Sequence, residues 1–81
     1  MEVDNVYTVV GYDKDNDAYI VYAEYSVEWL ATMKANELVD KIKRGELRRE
    51  DNDEPIDWIE VYEDYNKPNE KRLHVFSPND N

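Results

Sequence analysis

The 81-residue chain carries 20 acidic and 10 basic side chains, for a net charge of −10, and it contains no cysteine, two glycines and three prolines. That length suits one domain. The lack of cysteine excludes a disulfide framework, a thiolate metal site and a cysteine nucleophile, and the apolar runs are too short to span a membrane. A membrane surface or a nucleic-acid backbone repels this much negative charge, so neither is an expected direct partner.

Ten aromatic residues and a 41% hydrophobic content oppose the drive to disorder that high net charge brings. Residues 3–12 (VDNVYTVVGY) are rich in Val, Tyr and Thr, as strands are. The polar cluster DKDND at residues 13–17 reads as a turn, and residues 18–25 (AYIVYAEY) as a second strand, so the two form a hairpin. The second run is apolar or aromatic on both faces, which predicts a central strand. Ser26 is a candidate helix N-cap, and Glu28 follows where the helix dipole favours an acid. Val27, Leu30, Ala31, Ala35, Leu38, Val39 and Ile42 recur at steps of three and four, the pattern of one apolar helix face. Lys41, Lys43 and Arg44 fall in the last turn and Gly45 at the position after the cap. Val27, Trp29, Ala31 and Met33 also alternate, so a competing reading extends the strand and starts the helix near Asn36.

Residues 46–54 form a charged connector that Pro55 ends. Residues 56–65 (IDWIEVYEDY) read as a third strand, 66–69 as a turn, and 71–77 (KRLHVFS) as a fourth strand. The expected fold is α+β: a four-stranded antiparallel sheet in the order β-β-α-β-β with one helix packed on a face. The single domain covers residues 1–77, and 78–81 form a polar tail. No charged-then-apolar leader opens the sequence, which gives the expectation of a cytoplasmic protein.

Candidate chemistry is sparse. Asp13, Asp15, Asp17 and Glu24 match oxygen positions of a calcium loop, but Ala18 stands where that loop needs glycine and the flanks read as strands, not helices. An acidic hairpin tip accounts for the same residues. His74 is the only histidine and lacks the partners of a zinc site. Ser26 and Ser77 sit in no nucleophile context, and Gly11 and Gly45 stand alone, which excludes a glycine-rich phosphate loop. No enzyme, metal or cofactor is expected. The basic segment Lys41, Lys43, Arg44, Arg48 and Arg49 reads as dipole complement and internal counterion.

Charge placement is the informative signal. Residues 1–33 carry −6, residues 34–49 carry +3, residues 50–66 carry −8, and residues 67–81 carry +1. Carboxylates in rows on a rigid sheet can imitate phosphates, drawing a basic channel by long-range field and counterion release. The candidate partner-binding residues are Asp51, Asp53, Glu54, Asp57, Glu60, Glu63 and Asp64, with Tyr62 and Tyr65 as aromatic anchors. The short, cysteine-free, strongly acidic chain, with tyrosine-rich strands around one helix, resembles small inhibitors carried by phages and mobile elements, of the DNA-mimic anti-CRISPR and anti-restriction type. The resemblance is one of composition and architecture, and no residue role is carried over from it. It implies a non-enzymatic inhibitor of a basic nucleic-acid-binding protein, a host nuclease or CRISPR effector, acting in the host cytoplasm. The alternative is a structural or regulatory interaction module, monomeric or a homodimer paired through an exposed strand edge.

Overall fold

A computed structural model describes residues 5–78. Four strands, β1 (Tyr7–Asp13), β2 (Ala18–Tyr25), β3 (Trp58–Glu63) and β4 (Lys71–Phe76), and one helix, α1 (Glu28–Lys43), follow in the order β-β-α-β-β. The strands form one antiparallel sheet in the order β2-β1-β3-β4, with α1 on one face, the expected α+β architecture. Among the described residues, no helix is long and apolar enough to cross a membrane.

The core lies between α1 and the sheet. Val9 of β1 and Ile59 and Val61 of β3 meet Ala31, Ala35, Leu38 and Val39 of the helix, with Ile56 closing one end. Ala31 and Ala35 are fully buried, and such small side chains let the helix backbone approach the two middle strands closely. The aromatic rim of Tyr7, Tyr22, Tyr25 and Phe76 surrounds this core. Tyr22 reaches across Gly11: a Cβ at that glycine would stand 2.7 Å from Tyr22 Cε2 and 2.9 Å from Ile56 Cγ2.

Three expectations need correction. β2 is an edge strand, whereas β1 and β3 are the central pair; the aromatics of β2 cap the margin of the sheet, and Tyr19 and Val21 stay 45% and 49% exposed. Ser26 does not cap α1. The N-cap is Val27, in an extended conformation and without a side-chain cap hydrogen bond, so the strand turns directly into the helix and Glu28 supplies the favourable charge of the first turn. The competing strand reading through Met33 is not adopted, because Ala31 and Ala35 must share a helical face to enter the core. Strand ends are also shorter than expected. Asn5 and Val6 precede β1 and residues 56–57 precede β3, while the earlier part of the expected first strand lies outside the described residues, as does most of the tail.

The helix exit follows expectation. Gly45 adopts φ +71°, its N–H donates to the Ile42 carbonyl, and the Glu46 N–H donates to the Lys41 carbonyl, the two bonds of a Schellman cap. The connector is itself folded. Arg49 and Glu54 are joined by a backbone bond of 2.8 Å, and Asp53 N–H returns to the Arg49 carbonyl at 3.0 Å. Asp53 takes a left-handed φ of 59°, which Asp tolerates better than most residues.

Candidate functional site

Because β1 and β3 are antiparallel neighbours, the end of β1 lies beside the start of β3. The β1–β2 hairpin tip and the acidic connector therefore share one pole of the molecule. Asp57 N–H donates to the Tyr12 carbonyl at 2.8 Å, and the Asp57 carboxylate accepts the Lys14 N–H at 2.7 Å. Arg49 ties the pole together. Its guanidinium donates to Asp13 at 3.0 Å and to Asp51 through two bonds of 3.0 and 2.6 Å. Residues 13–17 carry three acids and one base and residues 48–57 five acids and two bases, so half of the chain's net charge, −5, gathers here.

These carboxylates fall into two kinds. Asp13 is buried and committed internally: it accepts the Asn16 side-chain amide at 2.7 Å as well as Arg49. The Asn16 bond, helped by Arg49, holds its carboxyl below the usual range against the opposing cost of burial. Asp51 is likewise lowered, chiefly by its bonds to Arg49, and Arg49 is raised by Asp51 and then Asp13. Asp15, Asp17, Glu50, Asp51 and Asp53 are exposed, with Glu54 and Asp57 half-buried. Asp17 also accepts the Tyr12 hydroxyl, a bond that pushes the Tyr12 phenol up to about 12.

The remaining expected contact residues lie elsewhere. Glu60 is 2% exposed, on the sheet face opposite α1. Its two oxygens accept Trp58 Nε1 at 2.8 Å and the Tyr62 hydroxyl at 2.6 Å, and Arg72 stands 3.8 Å away. Tyr62 is buried; burial and then the Glu60 bond push its phenol upward. Asp64 is buried in the β3–β4 turn at φ 56° and accepts the Asn69 amide at 2.8 Å. These three side chains are structural: a carboxylate with filled acceptor sites and little exposure offers a partner little charge. Glu63 and Tyr65, both half-buried, mark the far end of β3, about 17–20 Å along the strand from the acidic pole. The acidic contact set expected over residues 51–65 is thus divided between a pole and a set of internal acceptors.

The open sheet face is aromatic. Tyr12 pairs across strands with both Tyr19 and Trp58, with ring centroids 4.8 Å apart in each case, and Tyr62 meets Tyr65 edge-on at 5.1 Å. Under these rings Thr8, Val10 and Glu60 are almost fully buried although no second layer covers them. On the helix side, His74 of β4 lies 2.9 Å from Glu28.

Sequence reasoning left Asp15 and Asp17 out of the contact set; it read Arg49 as an internal counterion, as the ion pairs show, without naming Asp13 and Asp51 as its partners. The signal that could have found them is the pairing of β1 with β3, which fixes the two segments at one end. Compared with known proteins, the chain matches no family model, no curated protein and no solved structure.

Proposed function

We propose that the protein is a non-enzymatic acidic inhibitor that occupies the basic nucleic-acid-binding groove of a partner, such as a host nuclease, in place of the nucleic acid. The observation that supports this reading is the convergence of two acidic segments, distant in sequence, on one rigid pole. Backbone bonds and the Asp13–Arg49–Asp51 bridge fix the positions of Asp15, Asp17, Asp51, Asp53, Glu54 and Asp57. Fixed charges at the surface of a small domain act on a basic groove as phosphates do, by field and by displacement of the groove's counterions. Preorganisation by the bridge lowers the ordering cost of binding. Glu60, Tyr62 and Asp64 maintain the scaffold, and Tyr65 and Glu63 lie outside the main contact.

The experiment is competition. A partner captured from host lysate is loaded with labelled duplex DNA and titrated with the wild-type protein and with a variant carrying Asp15→Asn, Asp17→Asn, Asp53→Asn and Glu54→Gln. Wild-type protein displaces the duplex and the variant does so far more weakly. Equal displacement by the two proteins, or simultaneous binding of protein and duplex, would remove the basis for mimicry.

A further inference from the structure

The two edges of the sheet differ. β4 carries Lys71, Arg72 and His74 along its six residues, the charged protection that exposed edges usually show. β2 spans eight residues, AYIVYAEY, with Glu24 as its one charged side chain and no proline. Among the described residues, no hydrogen bond joins the outward backbone of β2 to another segment. Three successive residues of this edge, Ile20, Val21 and Tyr22, line a groove of about 520 Å³ whose opposite wall is Leu47 and the connector residues Arg48 to Asp51. Consecutive residues of a strand point to opposite faces, so a groove touching all three runs along the strand's backbone edge. Tyr22, one of its lining residues, has a buried hydroxyl with no hydrogen-bond partner among the described residues.

The geometry points to β2 as a docking edge for an extended basic segment of a partner protein, which adds to the sheet as a fifth strand. Charge complementarity selects the occupant. Arg49 is consumed by Asp13 and Asp51, and Arg48 donates to the Asp53 carbonyl at 2.9 Å. Glu50, in no ion pair among the described residues, lines the groove beside Asp51, and the chain's net charge of −10 favours a basic occupant over a second copy. A strand laid along β2 alternates its side chains between two environments. On the open face they meet the exposed Tyr19 and Val21, which suit apolar or β-branched residues. On the groove side they meet Glu50, which suits Lys or Arg, beside an Asp51 already bonded to Arg49. Main-chain hydrogen bonds supply affinity and the alternation supplies specificity, as in other strand-addition complexes. This inference rests on the acidic pole being a binding surface and adds the backbone edge beside it.

The test uses the full chain and three synthetic peptides at low salt. The first is acetyl-Lys-Val-Lys-Thr-Lys-Val-Lys-amide. The second is the same peptide N-methylated at alternate residues, and the third replaces every Lys by Glu. Binding is measured by titration, and amide exchange of residues 18–25 is followed by NMR. The proposal expects the first peptide to bind and to slow exchange of outward β2 amides, with binding about tenfold or more weaker after N-methylation, since several backbone bonds are lost, and undetectable for the Glu peptide. Equal binding of the N-methylated peptide overturns strand addition but leaves the acidic pole as an attractor of basic chains. No binding of either Lys peptide overturns strand addition, while the duplex competition decides the acidic-pole reading separately. Slow β2 exchange that grows with protein concentration and needs no peptide assigns the edge to a second copy of the chain and overturns the proposal.

Discussion

Replacing Glu60 separates its structural role from any role as a surface charge. In Glu60→Ala, Trp58 Nε1 and the Tyr62 hydroxyl both lose their acceptor. A buried donor left without a partner costs about 1–3 kcal/mol. Trp58 is only half-buried, so water can reach its N–H and its loss falls at the low end, while the buried Tyr62 hydroxyl falls higher. Removing a carboxylate that is desolvated in the folded state offsets part of this loss. The net expectation is about 2 kcal/mol. For a domain of this size each kcal/mol lowers Tm by roughly 4–8 °C, so the midpoint should fall by roughly 8–16 °C. Glu60→Gln keeps one oxygen, which can accept from the indole or from the Tyr62 hydroxyl but not replace both acceptors, so its midpoint should fall between those of wild type and Ala, a loss of about 1 kcal/mol or roughly 4–8 °C. Thermal unfolding followed by near-ultraviolet circular dichroism reads both the midpoint and the Trp58–Tyr12 environment. An Ala variant as stable as wild type, or a Gln variant as unstable as Ala, would refute the assignment of Glu60 as an internal acceptor.

Gly11→Ala forces a methyl group against Tyr22 and Ile56 and should cost about 1–3 kcal/mol by overpacking, measured by urea unfolding; pairing it with Tyr22→Ala should recover part of the loss. The lowered carboxyls of Asp13 and Asp51 stabilise the fold above their ordinary value of 3.8, and that contribution disappears as pH falls through their depressed folded values. Urea midpoints measured from pH 5 to pH 2 should therefore drop less steeply in Asp13→Asn than in wild type. Tyr12 ionises in the folded state near 12 instead of 10, so its contribution is complete below pH 10 and is lost between the two values. Absorbance at 295 nm should show that late-titrating phenol disappear in Tyr12→Phe.

The helix was the most legible element, because its apolar stripe, basic last turn and Gly45 all encode local geometry. Its start was less so: Ser26 has the chemistry of a cap, yet the direct turn from β2 into α1 places Val27 there instead. Strand order is a long-range property. The residues of β2 are as apolar and aromatic as those of a central strand, and only the pairing of β1 with β3 places β2 at the margin. The candidate surface was read as one continuous acidic segment for a similar reason. Glu60 and Asp64 carry the same formal charge as Asp53, and nothing local in the sequence distinguishes an internal acceptor for Trp58 and Tyr62 from a free surface acid. The Glu60 partners Trp58 and Tyr62 stand two residues to either side on the same strand, but their burial depends on how the neighbouring strands pack.

The most direct measurement is the salt dependence of binding to the captured partner. If the seven accessible carboxylates of the pole each displace about one counterion, affinity should fall by more than about a thousandfold between ~50 and ~200 mM salt, as it does for a protein making six or more phosphate contacts. The variant neutralised at Asp15, Asp17, Asp53 and Glu54 should bind weakly at low salt and show a slope reduced by more than half. A steep, acid-dependent slope is the result the account predicts; an affinity unchanged across that range, in wild type and variant alike, would contradict it.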